Sequence, residues 1–273
     1  MHRSYLFAPG HNEKLLTKVF DVGADTVILD LEDAVPPTGK DTARELVSHA
    51  LTVHRAWVRI NAPRTALSAA DLAAVGSLAH GIRIPKVESV DDVRWVVDRT
   101  PDTPLICAIE SAKGVVNAVS IAAEPTVSYL ALGGIDLQKD LRVASGAQLN
   151  YVRSHLVVAA RAAGIAPPID SVYPHIKDRD GLRREAAASR ALGFFGKSAI
   201  HPAQLPKIHA AFDPDADEVA WARQVLAAFE QAGGAAAQLP SGEFIDLPVA
   251  QRARNILDAA QPLPHHGSGD GPR

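Results

Sequence analysis

The chain of 273 residues contains a single cysteine, Cys107. One thiol can form no intrachain disulfide, so the fold must be held by packing, which suits a reducing compartment. An excess of positive charge is also missing: 28 Lys and Arg face 31 Asp and Glu, a formal net charge of −3. That leaves no basic footprint for nucleic acid, and the acids are spread along the chain rather than massed in a tail. No stretch approaches the ~20 apolar residues of a membrane span. The opening segment from Met1 to Gly10 has too short an apolar run for a secretory signal, so the expected location is cytoplasmic. The Gly-x-Gly-x-x-Gly turn that announces a dinucleotide-binding open sheet is absent. There is no internal repeat beyond an alternation of strand-like and helix-like segments.

What the sequence does contain is that alternation. Apolar content is 47% and charged content 22%, ordinary for a globular chain. Short apolar runs predict strands over 3–8, 26–32, 56–61, 81–87, 104–110, 127–133, 167–172 and 194–200. Between them, Ala-rich segments predict helices near 11–22, 40–53, 69–79, 90–98, 113–123, 145–163, 178–192 and 203–212. Continuous apolar strands separated by helices imply a parallel sheet covered on both faces. About eight units in a chain of this length predict an α/β fold of the (β/α)₈ TIM-barrel type, with a doubly wound open sheet as the alternative. The barrel is expected to occupy 1–213. A C-terminal extension over 214–260 holds two helices, near 215–232 and 248–260, joined by a Gly-rich linker over 233–242. The tail 261–273, with His265 and His266, has the Pro, Gly and His content of a disordered segment.

In such a barrel the chemistry sits at the C-terminal ends of the strands. Glu110 closes the run Pro104 to Glu110, and Asp136 follows the run Val127 to Ile135. If those strands are neighbours, two carboxylates point into one mouth. A pair of hard oxygen ligands with little basic sequence nearby suits Mg²⁺ with open positions for substrate. A helix cap or a salt-bridge partner is the plainer alternative for each. The other strand-end groups are Asp30 to Asp33, Asn61 and Arg64, Lys86 and Glu88, Ser111 and Lys113, Asp170, and Lys197 with His201. Asp33 is the candidate general base, directly or through a metal-bound water, or else a structural partner of Arg64 or Lys86. Strand periodicity turns Glu32 away from Asp33. Arg3, Lys14 and Lys40 are candidates for phosphate groups, and surface lysine is the alternative. The loop from Ala8 to Asn12 offers either an anion site or an ordinary helix cap. Cys107 reads as a buried inert thiol, and His201 as a structural hydrogen-bonder.

Eight segments in order carry a family resemblance: Arg3 to Gly10, Asp30 to Val35, Val58 to Asn61 with Arg64, Ile84 to Glu88, Ile109 to Gly114, Gly133 to Leu137, Phe195 to Pro202, and Gly242 to Pro248. Together they resemble the citrate lyase β-subunit family, which is similar to the malyl-CoA lyases. The resemblance implies a (β/α)₈ barrel, one Mg²⁺ per subunit, and a thioester substrate with coenzyme A as part of it. It implies that Glu110 and Asp136 are the metal ligands and that Arg64 holds the thioester or carbonyl oxygen. Gly242 to Pro248 would form a C-terminal lid. Asp246 on it would protonate an acetyl-thioester enolate, donated from a neighbouring subunit of a homo-oligomer, a trimer or a multiple of it. That role requires a dry site under a closed lid, and the Gly-rich linker gives the lid room to move. Alternatively, Asp246 caps the helix after Pro248.

The implied reaction is a retro-Claisen cleavage of a malyl-, citramalyl-, citryl- or hydroxymethylglutaryl-type CoA thioester to an acyl-CoA and a keto acid. Two alternatives stand beside it: a citrate lyase β-subunit acting on a citryl-acyl-carrier protein, and a thioesterase on the same substrates. The chain is shorter than typical malyl-CoA lyases and lacks the insertions that shape their acyl pocket.

Overall fold

A computed structural model describes residues 2–144 and 149–261, and their contacts divide into two compact units, one over 2–212 and one from 213 onward. The first unit is built on β1 (Ser4–Pro9), β2 (Thr26–Asp30), β3 (Trp57–Arg59), β4 (Gly81–Ile84), β5 (Leu105–Ile109), β6 (Val127–Leu132) and β7 (Lys197–Ala199). They form one sheet in the order β6-β5-β4-β3-β2-β1-β7. Every pairing in it is parallel.

Helices connect the strands: α1 (Glu13–Lys18), α2 (Lys40–Leu51), α3 (Ala66–Val75), α4 (Val90–Val97), α5 (Ala112–Val116), α6 (Ala118–Ala122), α7 (Gly134–Asp140), α8 (Asn150–Ala162) and α9 (Arg179–Ala191), with α10 (Leu205–Phe212) after β7. The single helix expected over 113–123 breaks at Asn117 into α5 and α6. Residues 145–148 of the helix expected over 145–163 lie outside the described residues.

The sheet is curled. Tyr5 on β1 and Tyr129 on β6 belong to strands five places apart, which in a flat sheet is roughly 24 Å; their ring centroids are 6.2 Å apart. Alternation along the strands separates two apolar layers. Leu6, Leu29, Val58, Ile82 and Cys107 pack outward among the helices. Tyr5, Ile28, Trp57, Ile106, Ala108, Ala131 and Ile169 pack inside the curl. Gly81 is required there, because a Cβ at that position would overlap the Trp57 indole ring.

The expected strand over 167–172 is reduced to two isolated parallel bridges, Ala131–Ile169 and Asp170–Lys197. Pro167 and Pro168 supply no N–H to a ladder, so regular pairing cannot extend toward the start of that segment. The regular sheet therefore has seven strands and is open between β6 and β7, where eight were expected.

In the second unit α11 (Ala216–Gln231) and α12 (Leu247–Ala259) bury Ala222, Val225, Phe229, Ala250 and Ala253. The Gly-rich segment expected as a flexible linker over 233–242 contributes to an antiparallel hairpin, β8 (Ala237–Gln238) with β9 (Phe244–Ile245). Leu239 and Ile245 anchor it in the apolar cluster. No described helix is long and apolar enough to cross a membrane. The expected tail lies outside the described residues from Pro262 on.

Candidate active site

Above the apolar floor of the curl, strand alternation places charge where the sheet has no apolar partner to offer. Asp30, at the end of β2, is fully buried. Its carboxylate accepts from Arg59 Nε at 2.7 Å and Arg59 Nη2 at 2.6 Å, and from the backbone amides of Glu32 and Ala34. Arg59 Nη1 lies 3.0 Å from Glu32 and 3.5 Å from Asp33. Burial works against the Arg59 charge, but the Asp30 hydrogen bonds and the surrounding acids outweigh it and raise its pKa.

Glu32 then links to the next strand: Lys86 Nζ donates to Glu32 Oε1 at 2.5 Å and lies 3.7 Å from Asp33. Burial raises the Glu32 pKa against the opposing pull of Arg59 and Lys86. The expectation that Glu32 faces away from Asp33 fails because β2 ends at Asp30. The two acids occupy a loop, where period-two alternation does not apply, and both face Arg59 and Lys86.

Glu110 follows β5 and is 7% exposed. Its Oε2 accepts from the Lys86 backbone amide at 3.2 Å. Lys86 adopts a left-handed backbone, φ 53°, a conformation that costs a non-glycine residue about 1 kcal/mol or more and clusters at functional sites. Burial, with the nearby charges of Glu32 and Asp136, pushes the Glu110 carboxyl up to about 7. On the β6 side, Gly133 is the residue Glu110 rests on, since a Cβ there would overlap Glu110 Cγ. Gly134 N donates to Ser171 Oγ at 3.0 Å, which fixes the start of α7, and Asp136 lies in the first turn of that helix. Glu110 and Asp136 line one cleft of about 450 Å³ with Lys86, Glu88, Ser111, Lys139, Asp140 and Arg142.

Among the described residues no group of three metal-binding side chains converges. Of the four carboxylates in the cleft, Glu88 pairs with Lys113 at 3.3 Å and Asp140 accepts from the Ala112 amide at 2.7 Å; the other two are Asp136 and Glu110, the latter buried and destabilised by neighbouring negative charge. Hard oxygen donors with an unmet need for positive charge fit a divalent cation such as Mg²⁺, which completes its shell with water and substrate. Replacing Gly133 by alanine is expected to displace Glu110. Calorimetric Mg²⁺ titration should then detect at least a tenfold loss of affinity, and thermal unfolding an overpacking cost of about 1–3 kcal/mol.

Arg64 lies after β3, 57% exposed, with a left-handed backbone (φ 63°) and Asp92 at 4.0 Å. The arginine at the carboxylates is Arg59, one of two strand-borne cations the sequence reading passed over. The signal was present: Val58-Arg59-Ile60 and Ile82-Arg83-Ile84 each set an arginine inside an apolar strand. Asp33 is 58% exposed at the rim.

The three cations expected to hold phosphates do not converge. Lys14 is exposed in the first turn of α1, which Asn12 caps by accepting from the Leu15 amide. The Lys40 ammonium donates to the carbonyls of Leu31 and Glu32 and to Asn61 Oδ1 at 2.7–2.8 Å, so it braces the β2 loop. Arg3 precedes β1, at the opposite end of the strands from Glu110, and pairs with Asp25 at 2.8 Å.

Asp170 and Lys197 belong to a separate buried knot. Lys197 donates to Asp170, Glu185 and the Ser171 carbonyl at 2.6–2.8 Å. Cys107 is fully buried, and His201 accepts from the Ala203 amide as a cap. In the second unit, Asp246 caps α12 by accepting from the Val249 amide at 3.1 Å.

Comparison with known proteins adds a name to this geometry. The model of the HpcH/HpaI aldolase/citrate lyase family matches residues 3–202. A (3S)-malyl-CoA thioesterase of Cereibacter sphaeroides is 37% identical over 277 residues, spanning 97% of each chain. The citrate lyase subunit beta of Leuconostoc mesenteroides is 35% identical over 283 residues, covering 95% of this chain and 93% of the relative. Among solved structures, protein CitE from Mycobacterium tuberculosis in complex with magnesium, acetoacetate and coenzyme A aligns with a TM-score of 0.83. It is 34% identical and covers 94% of this chain and 97% of that one.

Proposed function

The chain belongs to the HpcH/HpaI aldolase/citrate lyase family, a family of enzymes, and from that premise we propose that it is a Mg²⁺-dependent carbon–carbon lyase. Its substrate is a 3-hydroxyacyl-CoA thioester of malyl, citramalyl, citryl or hydroxymethylglutaryl type, cleaved to an acyl-CoA and a keto acid. The observation that carries this reading is the buried Glu110 carboxyl beside Asp136 in one cleft, faced by Lys86. Thioester hydrolysis needs only a polarised carbonyl and a water. Carbon–carbon cleavage must hold a developing keto acid at one end and an enolate at the other, and a mouth with several cations suits that better.

Glu110 and Asp136 would hold the metal, which when bound supplies Lewis-acid polarisation of the substrate oxygens. Lys86, lining the cleft, can donate to a substrate oxygen while anchored to Glu32. Arg59 sets a positive potential behind it. Arg64 at the rim reaches the thioester oxygen, where charge develops on cleavage. Asp33, open to solvent, takes the 3-hydroxyl proton. Lys14 meets the coenzyme A phosphates.

The sheet closes as an eight-stranded barrel through the bridges at Ile169 and Asp170. Residues 214–260 act as an extension whose lid carries Asp246 to a neighbouring subunit of a homotrimer or its multiple, in the cytoplasm. Asp246 there protonates the enolate. Asparagine caps a helix as well as aspartate does, so Asp246→Asn is expected to leave the melting temperature within about 2 °C and to lower kcat by about 100-fold. An unchanged kcat would remove Asp246 from the chemistry.

Two other readings have support of their own. The (3S)-malyl-CoA thioesterase relatives favour hydrolysis at the same site, and the citrate lyase β-subunits favour an acyl-carrier-protein thioester. Mass spectrometry of products from a panel of 3-hydroxydicarboxylyl-CoA thioesters, with and without chelator, separates them. Acyl-CoA plus keto acid, lost on chelation, supports the lyase. Free CoA plus intact hydroxy acid supports the thioesterase. Turnover only after supplying the carrier-protein thioester supports the subunit.

A further inference from the structure

Two guanidinium groups share the floor of the site. Arg59 and Arg83 are register partners on β3 and β4, and both lie over the Phe7 ring, 4.8 and 5.0 Å from its centroid. Their surroundings differ sharply. Arg59 is bound to Asp30 and faced by Glu32 and Asp33. Arg83 is 4% exposed and has no ion pair among the described residues. Its one hydrogen bond is long, 3.4 Å from Nη1 to Ser198 Oγ, and its buried Nε has no partner.

A guanidinium carries five donors in a fixed fork, and leaving buried donors unmet is costly. Asp30, Glu32 and Glu110 act on Arg83 only at a distance. Level with Arg83 the neighbouring strands contribute Ile106 and Tyr129, and one layer nearer the strand ends they contribute only the methyl groups of Ala108 and Ala131, so neither layer offers a carboxylate within the strands. Arg59 does not answer the need, because like charge beside Arg83 raises the cost of burying it. Burial and Arg59 together bring the Arg83 pKa down to about 10, which still leaves the group charged at neutral pH.

We propose that Arg83, with Ser198 beside it, is a subsite for a carboxylate of the acyl substrate remote from the thioester, and so selects acids bearing an additional carboxylate. The proposal rests on the reading of this site as one that acts on hydroxyacyl thioesters. A carboxylate matches the guanidinium fork in two parallel hydrogen bonds, a geometry that lysine cannot reproduce. An anion lying against Arg83 would also offset the repulsion between the two guanidiniums. Arg83 then distinguishes a keto-acid fragment with one carboxylate from one with two.

The test uses the full chain with Mg²⁺ and two probes that differ by one carboxylate, pyruvate and oxaloacetate, titrated by calorimetry into the unsubstituted protein, Arg83→Met and Arg83→Lys. Methionine keeps the apolar volume, and replacing a buried charge by a hydrophobe of similar size is tolerated. Lysine keeps the charge and loses the fork. The unsubstituted protein is expected to prefer oxaloacetate by about tenfold or more. Arg83→Met should reduce that preference to about threefold or less, and Arg83→Lys should restore it only in part. A preference retained in both variants, or absent from the unsubstituted protein, overturns the proposal.

Binding needs no turnover, so the ratio can be read even if thioester cleavage fails. Cleavage by the unsubstituted protein together with an unchanged ratio in the variants would sink the subsite alone. An altered ratio without any thioester cleavage would sink the reaction reading alone.

Discussion

Glu110→Gln is expected to abolish Mg²⁺ binding and turnover together while leaving the protein folded, and more stable than the unsubstituted chain above neutral pH. Glutamine keeps the shape of the side chain and its hydrogen bond from the Lys86 amide, but offers a metal no negative charge. Removing one of two carboxylate ligands should cost at least 100-fold in metal affinity, and kcat should fall by about 1000-fold or more.

The stability arm follows from the direction of the pKa shift. Glu110 is raised from 4.5 to about 7 in the folded state, first by burial and then by the charge of Glu32. Between those values the folded state binds a proton that the unfolded chain has lost, so this group's contribution to stability falls as pH rises through the window. By pH 8 the penalty is on the order of 3 kcal/mol, and glutamine is free of it. Melting temperatures of the two metal-free proteins should therefore diverge from pH 5 to pH 8, with the variant ahead at pH 8. Parallel curves would mean that Glu110 ionises freely. Mg²⁺ affinity of the unsubstituted protein should rise over the same window, because the cation competes with that proton.

Arg59→Ala is expected to be the most destabilising single change at the site. It removes the bidentate partner of the fully buried Asp30 and the nearest cation to Glu32 Oε2. Breaking a buried pair by deleting one member costs about 3–5 kcal/mol, because the surviving charge stays desolvated. Here Asp30 loses its ion-pair partner, while Glu32 keeps Lys86. Urea unfolding at pH 7 should read that loss, and it should shrink at lower pH, where protonation relieves the orphaned Asp30 carboxylate. A loss below about 1 kcal/mol, or one independent of pH, would mean that the Asp30–Arg59–Glu32 cluster contributes little to the fold.

Much of this architecture is legible in the sequence because parallel strands buried on both faces must be apolar throughout. The runs ending at Asp30 and Glu110 place those acids at the mouth by position alone. Five features escaped, each for a physical reason. The segment around Ile169 reads as a strand by composition, but Pro167 and Pro168 deny it a ladder. Arg59 and Arg83 hide inside apolar strands, where a charge is tolerated only because the interior holds acids from other strands, which no local pattern reveals. Glu32 was turned the wrong way because alternation was carried one loop too far. The partners of Lys40 and Arg3 were hidden for a related reason: Asn61 and Asp25 are distant in sequence, and only tertiary packing brings each pair together. The hairpin over Ala237–Ile245 was missed because Gly and Ala signal a flexible linker, while Leu239 and Ile245 bury enough surface to order it.

The most direct test of the central claim looks for the enolate. Acetyl-CoA would be incubated in D₂O with the protein, Mg²⁺ and oxamate as an unreactive keto-acid mimic, and the acetyl methyl resonance followed by proton NMR. A carbon–carbon lyase must interconvert the thioester with its enolate. The account therefore expects the methyl signal to exchange away while the thioester stays intact, and to persist when Glu110→Gln replaces the unsubstituted protein or when Mg²⁺ is chelated. A methyl signal that keeps its protons while free CoA accumulates would contradict the account and make the site a hydrolase.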